Sequence, residues 1–159
     1  MLLAWRLLKS VPLKIVGDGP LMSEVKAQIK QERLGIEVLG RRPREEVFSL
    51  MQQASFLVSP SESYETFHMA IAEAFACGLP VLASRLGAMA ELVEDGQIGL
   101  LFEPGNPEDL AARVAWAWTH PEEMRRMGKA ARQEFEEKYT AEKNYQMLMQ
   151  IYERARAQR

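Results

Sequence analysis

Glu65 and Glu73, with seven residues between them, are the positions at which this sequence most plainly offers chemistry. Glu73 stands alone in an apolar run, His68-Met69-Ala70-Ile71-Ala72-Glu73-Ala74-Phe75-Ala76-Cys77. That run reads as a helix buried on most sides, with no polar face to solvate a carboxylate. A carboxylate so placed must be protonated, meet a cation, or accept strong hydrogen bonds from a ligand such as a hydroxyl compound. No basic residue lies within a helical turn of Glu73, which favours the ligand over a core salt bridge. For Glu65 the spacing leaves two roles open, a ligand group or a cap for the following helix.

The elements that must position these residues alternate along the chain. Short apolar runs at Leu13 to Val16, Ile36 to Leu39, Phe56 to Val58, Val81 to Ala83 and Gly99 to Phe102 read as strands. Helical stretches fall at about Pro20 to Arg33, Pro43 to Gln53, Phe67 to Cys77 and Ala88 to Glu94. Strands apolar on both faces and joined by crossovers of this length predict a doubly wound, parallel, Rossmann-like α/β sheet. Pro20 and Pro43 are expected in first helical turns, and Gly35 and Gly78 just past helix ends. Beyond Phe102 the strands stop: Asn106-Pro107 opens a helix to about Thr119, Pro121 another to about Lys138, and Thr140 caps a last one. Trp116 and Trp118 point about 200° apart on their helix, so one of them is expected near the surface.

In such sheets ligands bind beyond the carboxyl ends of the strands. Four loops are expected there and should form one crevice: Gly17-Asp18-Gly19-Pro20, Gly40-Arg41-Arg42-Pro43, Ser59 to Phe67, and Ser84-Arg85-Leu86-Gly87. Arg41, Arg42 and Arg85 bring cations to it, although exposed arginines are by default solvated charges.

Bulk properties narrow the possibilities. The 159 residues suffice for one domain with a proper core, and 47% hydrophobic content suits a globular protein. A net charge of −2 with interspersed signs gives no footprint for nucleic acid. Arg154, Arg156 and Arg159 make a modestly basic end, which matches a helix dipole and, as a second role, anionic membrane. The lone Cys77 excludes an internal disulfide, fits a reducing compartment and reads as structural. No stretch has transmembrane length, and Met1 to Leu8 is too short for a secretory signal.

The composite pattern is more specific than any part of it. Ser59-Pro60-Ser61-Glu62-Ser63-Tyr64-Glu65-Thr66-Phe67, the Glu73 helix, Gly78-Leu79-Pro80-Val81-Leu82-Ala83-Ser84, Gly87-Ala88-Met89-Ala90-Glu91 and Gly99 to Leu110 occur in order. Together they resemble the donor-binding region of retaining GT-B glycosyltransferases, from about Leu13 to the C-terminus. The resemblance implies the C-terminal half of a GT-B fold, with a nucleotide sugar (a UDP-, GDP- or ADP-sugar) as donor and no metal or other cofactor. Glu73 would accept the ribose hydroxyls, and the Gly40 to Arg42 loop, with Arg41 and Arg42, would approach the base. Glu65 would lie by the transferred hexose with the Thr66 and Phe67 backbone; front-face attack in this family keeps it from being a nucleophile. Gly17, Gly19, Ser84 and Gly87 would line the crevice.

This sequence also departs from the family pattern. His68 stands where glycine is common, so either the site is narrowed or His68 touches the donor. Ala88 replaces a usual glycine. The family's first strand of this domain, with its phosphate-gripping cations, and the acceptor-binding N-terminal domain have no counterpart in residues 1–159, so a sugar or lipid-linked acceptor would be met through that absent domain. The resemblance implies a cytoplasmic location, extending to peripheral contact with the inner membrane face.

In a doubly wound order the absent strand lies between Leu13–Val16 and Phe56–Val58. Two unpaired edges must then close on each other, with the terminal helix folded back, or the chain must self-associate. Two other readings stay open: an NADP-dependent oxidoreductase fragment, with Gly17-Asp18-Gly19 after a strand and Arg41-Arg42 near a 2′-phosphate, or a non-catalytic nucleotide-binding module.

Overall fold

Strands and helices alternate as the apolar periodicity predicts. The structure, a computed structural model, describes residues 1–8, 10–64 and 66–157. The order is α1 (Leu2–Leu7), β1 (Leu13–Val16), α2 (Met22–Glu32), β2 (Ile36–Gly40), α3 (Arg44–Gln53), β3 (Leu57–Ser59) and α4 (Met69–Ala76). There follow β4 (Val81–Ser84), α5 (Gly87–Leu92), β5 (Gly99–Phe102), α6 (Pro107–Thr119), α7 (Pro121–Lys138) and α8 (Ala141–Ala157).

All strand pairs are parallel, β1 with β2, and β3 with β4 with β5. Every residue of β4 and β5 is buried, the mark of strands covered on both faces. Their side chains sort by parity. Leu82, Leu100 and Phe102 meet α1, α6 and the start of α7, whereas Val81, Ala83 and Leu101 meet α4, α5 and the later part of α7. The result is a three-layer α/β/α arrangement.

Local sequence explains the element ends. The Asn106 side chain accepts the Asp109 N–H at 3.0 Å with Pro107 in the first turn, a full N-cap. Gly78, at φ +66, closes α4: Leu79 N–H reaches Ala74 O and Gly78 N–H reaches Phe75 O, both at 2.9 Å. Gly128 lies mid-helix in α7 because a Cβ there would collide with Gly78 O, so two backbones meet where no side chain fits.

Several expectations need correction. The segment Leu2–Leu7, read only as too short for a signal, is a helix whose Trp5 is buried and donates its indole N–H to Val11 O at 3.0 Å. Gly35 does not close α2; Arg33 does, in the left-handed region at φ 53. Pro43 caps α3 from extended backbone rather than occupying its first turn. Trp116 and Trp118 are both well exposed, because only Leu110, Ala111, Val114 and Ala117 form the inward stripe of α6.

The gap in the sheet is also present. Among the described residues β1 and β3 do not pair, and the strands fall into a two-stranded and a three-stranded sheet. Nor does α8 fold back: it has no buried residue, and its Tyr145, Leu148, Met149 and Tyr152 stripe is open to solvent. Closure by direct pairing with a folded-back helix is therefore not the solution adopted. Contacts away from the strand edges hold the two parts together: Leu13 and Ile36 join the α1/α6 core, and Val47 and Met51 of α3 join the α4/α7 core.

Candidate functional site

The loops beyond the strand ends come together in pairs. Gly17, at φ +129, donates its N–H to Gly40 O at 2.9 Å, joining the loops after β1 and β2. Both glycines hold positive φ, which lets the chain turn tightly here. The loops after β3 and β4 meet where the Tyr64 ring covers Gly87: a Cβ on Gly87 would fall 2.9 Å from Tyr64 Cδ1. Tyr64 is otherwise 80% exposed, so this contact is what holds it.

Arg44 and Glu73 bridge the two parts of the molecule. The Arg44 guanidinium, in the first turn of α3, stands 3.5 Å from the Glu73 carboxylate. It also lies 5.3 Å over the Phe48 ring. Glu73 was expected in a helix buried on most sides, yet its side chain retains 26% exposure, since Met69, Ala70 and Glu73 form an open stripe on α4. Ile71, Ala72, Ala74 and Phe75 take the buried side. The cation absent from the helix itself thus comes from α3, with Arg44 74% exposed. A pair so open to water is worth about 0–1 kcal/mol and leaves carboxylate lone pairs for a further partner.

The other sequence candidates divide into engaged and open groups. Asp18 accepts the Gly19 N–H at 2.9 Å, so its carboxylate occupies the amide that a dinucleotide pyrophosphate would need, contrary to the oxidoreductase reading. Arg41 is exposed, and Arg42 lies 3.6 Å from Glu46 one turn on. Arg85 is committed to Asp95 at 2.9 Å, with Glu103 at 3.8 Å, and Asp95 also accepts the Leu101 N–H. Ser84 is fully buried at the carboxyl end of β4, and its Oγ makes no hydrogen bond among the described residues. His68 is the N-cap residue of α4 and is partly buried.

Thr66 is exposed, and Phe67 tilts against Tyr139 with ring centroids 6.1 Å apart. Glu91 is exposed on α5. Glu65, the catalytic candidate, and Arg159 lie outside the described residues. Burial pushes the Cys77 thiol up, only partly offset by the nearby Arg132, which suits a structural side chain and not a thiolate nucleophile. No helix among the described residues is long and apolar enough to cross a membrane.

Arg44 is the member of the site that sequence reasoning missed. A helical-turn search around Glu73 cannot find a partner from another helix. The available signal was its place one residue after the Arg41-Arg42-Pro43 loop.

Comparison with known proteins identifies the family and the fold. The model of the family described as glycosyl transferases group 1 matches residues 1–134. An uncharacterized glycosyltransferase of Methanocaldococcus jannaschii is 38% identical over 141 residues, covering 88% of this chain and 40% of that protein. The D-rhamnosyltransferase WbpZ of Pseudomonas aeruginosa is 31% identical, over 82% of this chain and 35% of its own. Among solved structures, sucrose-phosphate synthase from Thermosynechococcus elongatus superposes with a TM-score of 0.88 at 26% identity, over 99% of this chain and 42% of that one. HepE of Anabaena, in complex with UDP-glucose, superposes with a TM-score of 0.83 at 26% identity, over 95% and 44%. The chain thus spans about two fifths of the length of the proteins it matches.

Proposed function

Because the chain belongs to the glycosyl transferases group 1 family, we propose that it is the donor-binding part of a retaining enzyme that moves a hexose from a nucleotide sugar to an acceptor hydroxyl. The observation that carries this reading is Glu73: a carboxylate on the open stripe of α4, 3.5 Å from the exposed Arg44 guanidinium and left with free lone pairs. In this reading it accepts two ribose hydroxyls. The bound UDP-glucose of the Anabaena relative supports a uridine donor as the first to test.

The remaining roles are those the family resemblance implies. The N-terminus of α4, with His68 at its cap, offers backbone amides to the donor diphosphate. Ser84, at the carboxyl end of β4, lies beneath the same crevice with a buried hydroxyl that makes no hydrogen bond among the described residues. Arg41 and Arg42 flank the base, while Glu65, Thr66 and Phe67 border the hexose. Departure of the nucleoside diphosphate is stabilised electrostatically, with no residue acting as nucleophile. The acceptor, a sugar or a lipid-linked sugar, enters from a second domain outside residues 1–159, and the family's first strand belongs between the unpaired edges of β1 and β3. The lone thiol suits a cytoplasmic setting.

A thermal-shift panel of UDP, GDP, ADP and NADP tests the reading, since a ligand that binds only the folded state raises the midpoint. One nucleoside diphosphate should raise it and NADP should not. A rise with NADP alone would overturn the proposal.

A further inference from the structure

A cavity of about 760 Å³ lies at the end of the sheet opposite the donor crevice. Ser55 and Pro80 on its wall come just before β3 and β4, which places it at the amino ends of the strands. Trp118 near the end of α6 and Arg125, Lys129 and Arg132 of α7 complete the wall. The three cations stand at i, i+4 and i+7, within about 60° of one another around the helix, so they share one face. A volume of this size falls within the roughly 300–1,000 Å³ of small-molecule sites.

The charge of the cavity is one-sided. No Asp or Glu belongs to its described lining. Arg125 and Arg132 are each paired along the helix, with Glu122 at 2.5 Å and Glu136 at 2.7 Å, and both carboxylates lie outside the lining. Lys129, between them, makes no ion pair among the described residues. Trp118 keeps 43% of its surface open and shares the wall with Pro80, a flat apolar surface.

We propose that this cavity is a second ligand site, for a small phosphorylated molecule that carries a flat apolar group. The phosphate oxygens accept from Lys129 and the two arginines, and the flat group lies against Trp118. Gly78 and Gly128, also on the wall, bring two backbones into close contact there, and α7 sets the spacing of the cations. The proposal stands independently of the donor reading.

Phenyl phosphate is the probe, titrated into the whole chain while the Trp118 indole N–H is followed by NMR. Saturable shifts are expected, with much weaker responses to phenol and to inorganic phosphate. Lys129→Gln should weaken the interaction about tenfold, since a charge-assisted bond is lost, while Lys129→Arg should retain it. Lys129 is exposed, so neither variant threatens the fold, and the response to UDP should be unchanged in both. Absence of a saturable shift, equal affinity in Lys129→Gln, or equal response to phenol would overturn the proposal. So would binding to phosphatidylglycerol vesicles without binding to the soluble ester, which would make this a membrane-facing patch.

Discussion

The Arg44 guanidinium stands 3.5 Å from the Glu73 carboxylate, joining the helix that follows β2 to the helix that follows β3. These two helices flank the gap between the two sheets, so the pair crosses the line along which the molecule has no strand pairing. Its geometry is open to water, and its value to the fold is correspondingly small. The pair leaves carboxylate lone pairs that the proposed ribose hydroxyls would use.

A double-mutant cycle separates these roles. Arg44→Gln and Glu73→Gln should each change folding stability by no more than about 1 kcal/mol, as exposed pairs do. For nucleoside diphosphate binding the two should differ, with Glu73→Gln the costlier. Equal losses of affinity in both would make the salt bridge, not ribose recognition, the role of Glu73.

Gly128→Ala is expected to destabilise the chain by about 3 kcal/mol or more, because overpacking against backbone cannot be relieved by a rotamer change. The added Cβ would meet Gly78 O and, at 3.2 Å, Pro80 Cδ. Urea denaturation measures this; a change below about 1 kcal/mol, the size of a helix-propensity effect, would mean that α7 shifts freely.

Arg33→Gly should stabilise the chain by roughly 1 kcal/mol. Arg33 holds a left-handed conformation, φ 53 and ψ 43, at the end of α2, where glycine carries no Cβ penalty. A lower melting temperature in this variant would show that the Arg33 side chain contributes more than its backbone costs.

The unpaired edges of β1 and β3 and the bare apolar stripe of α8 predict self-association of the chain on its own. Light scattering should show a mass rising with concentration, and Leu148→Glu with Tyr152→Glu should reduce it. A monomer at every concentration would contradict this.

Much of the architecture was legible because it depends on local pattern. Short continuous apolar runs placed β4 and β5, and Asn106-Pro107 and Gly78 marked helix ends by their own chemistry. The first helix was not, since Leu2–Leu7 lacks a polar face and is fixed by a tertiary bond from Trp5 to Val11. The site shows the same division. Glu73 stood out by its polarity alone, but its open stripe depends on how α4 rests against α7, and its partner Arg44 lies on a different helix. Arg85, expected in the crevice, is held by Asp95 and Glu103, a pairing across loops that no local pattern announces.

The most direct test of the donor-binding claim is calorimetric titration of UDP into the wild-type chain and into Glu73→Gln, each first checked for its fold by circular dichroism. The account predicts saturable one-to-one binding to wild type, weakened at least about tenfold in the variant, the loss expected when charge-assisted hydrogen bonds to ribose are removed. Equal affinities in two folded proteins would contradict it.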